Sequence, residues 1–279
     1  MSVRVAAYAK LNLSLRVLGR RADGYHEIDS EVQTIDLADR LTIDLAATGV
    51  LVENDLVLER PDLVERAAVA LLRRKARDRG VRIRVEKRIP VGAGLGGGSS
   101  DAAAVLRVLD RLLPPELGVD ALCDIGAEIG SDVPLFLHGG RARIGGRGER
   151  VQRSPEPTAE HFVVLVPPIH CATAAIYARW DELSAASGPA AAGGPKPGEN
   201  DLLCPALDVH PELAPYHDAM RSFGAGYHGM SGSGSSFYAA FTERALAERA
   251  AAALERRYDD ADVFVCRPTD VGHRPLEAP

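Results

Sequence analysis

The stretch Pro90-Val91-Gly92-Ala93-Gly94-Leu95-Gly96-Gly97-Gly98-Ser99-Ser100-Asp101 decides how this chain is read. It follows a β-like run, Val81 to Val85, and leads into an alanine-rich helical run, Ala102 to Leu113. Glycine lacks a Cβ, so its backbone takes unusual dihedrals and lets a ligand approach closely. A helix start carries unpaired N–H groups and the positive end of the helix dipole. Together these features predict an anion site, and the usual anion is a phosphate. Ser99, Ser100 and Asp101 suit an N-cap, and the serines can also reach a phosphate or a metal-bound water. The segment lacks Gly-Lys-Ser/Thr, so it is not a Walker A loop. Gly92, Gly94 and Gly97 match G-x-G-x-x-G by count, which keeps an NAD-dependent oxidoreductase as an alternative. Against it, a long, mostly β-like segment comes first and Pro90 stands between strand and loop.

Working outward, 279 residues are enough for a sizeable core and suggest two domains. A hydrophobic fraction of 46% with 26% charged residues is that of a soluble globular chain. A net charge of −6 gives no support to binding nucleic acid or an anionic membrane surface. Polyphosphate binding must then rely on local amides and a few cations. Cys123, Cys171, Cys204 and Cys266 lie far apart, with neither C-x-x-C nor zinc spacing, as in a reducing cytosol. The N-terminus has no apolar signal core and no run is long enough to span a membrane, so a cytoplasmic location is expected.

In chain order, alternation predicts strands at Val3–Ala9, Leu11–Leu18, Glu27–Asp36 and Arg40–Leu45, so an antiparallel first half. Lys10 and Asn12 share parity and should face one side. Asp23-Gly24 is a strong turn signal, and Tyr25 and His26 follow it, a flat ring beside an imidazole that suits a planar base. Helices are expected at Pro61–Arg79, Ala102–Leu113 and Asp120–Ile129, then a turn at Gly130-Ser131-Asp132-Val133-Pro134 and short apolar or β runs at Phe136–His138 and Arg141–Ile144. Pro134 should keep Val133 out of the helical region.

A boundary is expected near Arg153–Thr158, giving domains 1–153 and 154–279. Beyond it come a strand at His161–Val166, a helix at Ala172–Leu183 and a low-complexity segment, Ser184–Gly198, read as mobile. Helices at Pro211–Phe223 and Glu243–Tyr258 and a strand at Asp262–Cys266 follow, with a loosely held tail from Pro268. Gly229-Met230-Ser231-Gly232-Ser233-Gly234 is a second small-residue loop, able to offer amides to an anion or to the first glycine loop. The overall class is α+β.

Four motifs now stand in order: Ala9-Lys10-Leu11-Asn12-Leu13 with Asp23-Gly24-Tyr25-His26, Pro90 to Asp101, Gly130-Ser131-Asp132-Val133-Pro134, and Gly229 to Gly234. As a set they resemble the GHMP kinase superfamily, and within it the 4-diphosphocytidyl-2-C-methyl-D-erythritol kinases of the non-mevalonate isoprenoid route. The resemblance implies an N-terminal ATP-binding domain and a C-terminal ferredoxin-like α/β sandwich, with the active site between them. It implies ATP as co-substrate with Mg²⁺, a small cytidyl substrate, and Lys10 and Asp132 as the catalytic pair. Pro90, Val91, Gly92, Ala93, Gly94, Leu95, Gly96, Gly97, Gly98, Ser99 and Ser100 match the ATP-phosphate loop. Tyr25 and His26 match residues that hold the cytosine, Asn12 a substrate-binding position, and Tyr177 an aromatic that closes on the other face of the base. The metal ligands are left open, with Ser100 a candidate. Another GHMP-type small-molecule kinase, or a nucleotide-binding regulator without catalysis, is the competing reading.

Overall fold

The computed structural model describes residues 2–56, 62–75, 78–154, 160–187 and 194–276. Two long antiparallel strands, β1 (Ser2–Arg20) and β2 (His26–Ala46), run side by side from Ser2↔Asp44 to Arg20↔His26. The sequence suggests four short strands there because polar residues interrupt the alternation. In the fold, irregularities at Tyr8/Ala9, Asn12/Ser14 and Val17/Gly19 absorb those interruptions and the ladder continues.

β3 (Val50–Asn54), α1 (Leu63–Lys75) and β4 (Gly80–Glu86) follow. β4 pairs antiparallel with β2 but parallel with β3, so the antiparallel pairing expected of the first strands holds for β1 and β2 and changes only at β3. Next come α2 (Gly97–Leu112), α3 (Val119–Ile129), α4 (Val133–His138), β5 (Arg141–Gly146) and β6 (Arg150–Arg153). β5 joins the other half of β2, from Ile28 to Gln33, and β6 adds to β5. Apolar faces of α1 to α4 pack on one side of this sheet, with Leu71, Leu106, Leu109, Ile125 and Phe136 over Leu41, Ile43 and Ile83. Each such side chain contributes about 1.5–3 kcal/mol by leaving water.

The second sheet is antiparallel, and its strand order gives the sandwich: β10 (Asp262–Cys266), β7 (His161–Val166), β9 (Phe237–Phe241), β8 (Tyr227–Met230). α5 (Thr173–Ser187), α6 (Leu203–Val209), α7 (Ala214–Met220) and α8 (Arg244–Arg257) complete this half. Val163, Leu165 and Phe237 meet Ile176, Leu213 and Leu254 on one side. On the other, Phe162, Val164 and Tyr238 pack against Leu11, Leu13 and Ile35 of the first sheet. β7 is apolar on both faces because it is covered twice.

β6 ends at Arg153 and β7 opens the second sheet at His161, so we keep 153/154 as our proposed division; residues 155–159 lie outside the described ones. The tail is not loosely held as expected. β11 (His273–Pro275) pairs with Val5–Ala7 of β1, and the Gly272 carbonyl accepts from Tyr8 N–H. A Cβ on Gly272 would lie 2.0 Å from the Phe136 carbonyl oxygen, so only glycine permits this docking. Of Ser184–Gly198, Ser184–Ser187 end α5, 188–193 lie outside the described residues, and Gly198 N–H donates to the Leu13 carbonyl.

A buried charge set ties β2 to the entrance of the glycine segment. Lys87 Nζ reaches Asp39 Oδ2 at 2.5 Å and Asp101 Oδ2 at 2.8 Å. Asp39 Oδ1 also accepts from the Arg88 and Ile89 amides. Burial pushes the Asp101 carboxyl up to about 8, with Lys87 opposing and Asp39 adding. Asp39→Ala strands both amides and leaves the ammonium with Asp101 alone; removing one member of a buried charge set costs on the order of 3 kcal/mol. We expect a correspondingly lower urea midpoint; an unchanged midpoint would show that the set does not hold the segment.

Candidate active site

Lys10 sits mid-way along β1 and is only 4% exposed, not the exposed strand lysine that its surroundings in sequence allow. Its ammonium contacts Asn12 Oδ1 at 2.5 Å, the Gly94 carbonyl at 2.8 Å and Asp132 Oδ2 at 3.9 Å. Burial pushes the Lys10 pKa below its ordinary 10.5, while Asp132 pulls it back up. The shared parity of Lys10 and Asn12 places both on the cleft side, as expected. Asn12 is held in turn: its Nδ2 donates to Ser30 Oγ at 2.8 Å and its backbone N–H to Ser231 Oγ at 3.1 Å. Its side-chain oxygen therefore orients the lysine.

Asp132 stands immediately before α4. Pro134 does not keep Val133 out of the helical region, and Phe136–His138, read as a short apolar or β run, is helical. Val133 is the first helical residue and Pro134 lies in the first turn, where its missing N–H would have had no acceptor. The turn between β5 and β6 also approaches Asp132: a Cβ on Gly148 would lie 3.3 Å from Asp132 Oδ1.

The glycine segment differs from its expected form in one respect. α2 begins at Gly97, with Gly96 as N-cap and no side-chain cap. Ser99, Ser100 and Asp101 are thus inside the helix and do not cap it. Ser100 is fully buried and its hydroxyl donates to the Tyr8 carbonyl, so it leaves the list of metal ligands. Ser99 does face the cleft. Gly92, Gly94 and Gly96 have φ of +71°, +78° and +72°, so the alternate glycines are required by the backbone itself. Ala93 and Leu95 between them are buried, and Pro90 is half-buried. The first-turn N–H groups of α2, from Gly97 to Ser99, have no intrahelical acceptor, an arrangement able to receive an anion. Val91 and Gly92 are exposed, and Gly98 is exposed one turn on.

The second small-residue loop packs on the first. Ser231 Oγ donates to the Gly94 carbonyl, Ser236 N–H to the Ala93 carbonyl, and Ser233 Oγ pairs with Thr173 Oγ1 at 3.0 Å. Between these parts lies a cleft of about 720 Å³. Lys10, Asn12, Gly94, Gly96, Ser99 and Asp132 line it together with Tyr25, His26 and Tyr177. His26 stacks on Tyr177 with centroids 4.6 Å apart, and its Nε2 donates to Asp181 at 2.8 Å. Tyr25 is 51% exposed, with the Arg147 guanidinium 5.0 Å over its ring. Burial, and then Asp132, push the Tyr177 phenol well above its usual range. Arg147, Thr173 and Asp181 escaped the sequence reading; for Asp181 the available signal was its position four after Tyr177 on one helix.

Residues 62–140 match the GHMP kinases N terminal domain and 187–260 the GHMP kinases C terminal domain. The 4-diphosphocytidyl-2-C-methyl-D-erythritol kinase of Thiobacillus denitrificans is 39% identical over 97% of this chain and 96% of its own. That of Thermotoga maritima is 36% identical over 86% and 92%. This chain belongs to the 4-diphosphocytidyl-2-C-methyl-D-erythritol kinase family of the GHMP kinases. A crystal structure of 4-(cytidine 5'-diphospho)-2C-methyl-D-erythritol kinase superposes with TM-score 0.78 at 36% identity, covering 96% of this chain and 99% of the other. Homoserine kinase from Cytophaga hutchinsonii shares the fold, with TM-score 0.73 at 18% identity over 99% and 97%. No described helix of this kinase is long and apolar enough to cross a membrane, and its four cysteines are free thiols.

Gly94→Ala tests the glycine segment. Its Cβ would lie 2.2 Å from the Ser231 carbonyl oxygen in a left-handed conformation that costs about 1–2 kcal/mol. We expect ATP affinity by titration to fall on the order of tenfold; undiminished affinity would separate the two loops from nucleotide binding.

Proposed function

We propose that this kinase transfers the γ-phosphoryl group of ATP to the 2-hydroxyl of 4-diphosphocytidyl-2-C-methyl-D-erythritol, giving the 2-phosphate and ADP in the methylerythritol phosphate route. The observation that carries the reading is one cleft lined by a glycine-rich helix start, by the Lys10–Asp132 pair and by the rings of Tyr25, His26 and Tyr177.

In this mechanism the α2 amides and the positive-φ glycines receive the ATP phosphates. Asp132 orients the acceptor hydroxyl and takes its proton late, once the oxygen has begun to bond to phosphorus. Lys10 faces the transferred group, keeps Asp132 in place and offsets charge on the equatorial oxygens of a loose transition state. Tyr25 and Tyr177 are the rings for the two faces of the cytosine, and His26 supplies polar contact at its edge. Among the described residues no cluster of three or more His, Cys, Asp or Glu could hold an ion alone. Beside the glycine segment the Ser99 hydroxyl faces the cleft, and Mg²⁺ commonly takes few protein ligands and rests on substrate phosphates. Ser99 would hold the ion together with the ATP phosphates, and the ion would neutralise phosphate charge.

A dinucleotide-dependent oxidoreductase is disfavoured. The glycine segment follows a strand antiparallel to β2, and α2 runs on to α3 without a returning parallel strand. The rings of Tyr25, His26 and Tyr177 in the cleft favour a base-bearing acceptor.

Purified protein with ATP and the cytidyl substrate should yield ADP and a product phosphorylated at the 2-hydroxyl, located by phosphorus NMR. Asp132→Asn should lower kcat by about 10²–10⁴-fold with ATP binding retained; a near-normal rate would remove Asp132 from the base role. Lys10 is cationic below its pKa, and burial lowers that pKa. kcat should therefore fall on the alkaline side at a pH below the ordinary 10.5. Lys10→Arg, cationic throughout, should lack that alkaline limb in a pH–rate profile.

A further inference from the structure

The His26 ring is fixed by one face of α5. Tyr177, Trp180 and Asp181 stand at positions i, i+3 and i+4, which share a side of a helix. Tyr177 stacks on the imidazole at an interplanar angle of 28°, and Trp180 meets its edge at 86° with centroids 5.7 Å apart. Asp181 Oδ1 lies 2.8 Å from Nε2, and the other carboxylate oxygen lies 3.8 Å from the Arg20 guanidinium. The imidazole side chain is 10% exposed, and His26 lines the cleft.

A carboxylate only accepts hydrogen bonds, so the ring proton belongs on Nε2. A neutral imidazole carries one donor and one acceptor, which leaves a lone pair on Nδ1. We infer that Asp181 is a positioning residue for base selection: it holds His26 in the tautomer whose Nδ1 accepts the exocyclic amino group of cytosine. The inference rests on the cytidyl reading above and adds what distinguishes that base. Cytosine carries an amino donor at C4, whereas uracil carries a carbonyl there. Uracil would set two acceptors against one another, and an unmatched buried polar pair discriminates far better than a misfit of apolar shape. Carboxylate partners set imidazole tautomers in the same way behind metal-bound histidines.

The test compares kcat/KM for the cytidyl substrate and its uridyl analogue in wild type, Asp181→Ala and Asp181→Glu. Asp181→Ala should lower the cytidyl preference by at least about tenfold, through the KM of the cytidyl substrate, with the KM of ATP little changed. Asp181→Glu should restore much of the preference. Nitrogen-15 spectra of His26 in the wild-type protein should show Nε2–H with an unprotonated Nδ1. An unchanged base preference in a folded Asp181→Ala variant, or an Nδ1–H or imidazolium signal in wild type, overturns the assignment. The spectra need no turnover and no variant. Failure of wild type to phosphorylate the cytidyl substrate would instead overturn the proposed function.

Discussion

A single ammonium, sealed beneath a turn of backbone, is the constraint on which the cleft depends. Lys10 is held by Asn12, by the Gly94 carbonyl and by Asp132, which come from β1, the glycine segment and the start of α4. A buried charge is tolerated only when its partners are fixed. The lysine therefore specifies where three separate pieces of chain must stand. Because the Gly94 carbonyl also accepts from Ser231, the second sheet's loop is drawn into the same arrangement.

This explains why the glycines alternate with buried apolar residues. Gly92, Gly94 and Gly96 bend the chain while Ala93 and Leu95 anchor it in the core between the sheets. A looser loop could bind phosphate, but it could not hold the Gly94 carbonyl against the lysine. Below it, Lys87, Asp39 and Asp101 brace the strand end and the helix. The glycine segment is thus braced from several sides, whereas His26 and Tyr177 stack on each other and Tyr25 is left half-exposed.

Much of this was legible in the residues. The strand Asp262–Cys266 has the bounds that its alternation suggests, and the glycine segment leads from strand to helix as read. What failed did so for physical reasons. The start of α2 was placed late because glycine has poor helix propensity, which tertiary packing overrides here. α4 was missed because proline reads as a breaker unless its position in the first turn is known. Arg147 carries no local signal and Asp181 only its place four after Tyr177; their meaning comes from residues more than a hundred positions away, Tyr25 and His26. The family resemblance supplied Lys10 and Asp132 as partners, which neither side chain's own neighbourhood could do.

The return of β11 to β1 has a consequence for biosynthesis. The edge of β1 from Val5 to Ala7 emerges from the ribosome early but meets His273–Pro275 only after the second sheet has been made. Until then that edge presents unsatisfied backbone groups, the kind of template on which nascent chains associate. The N-terminal half therefore matures in two stages. Its core can condense during translation, and its border is closed by β11, made after the second sheet.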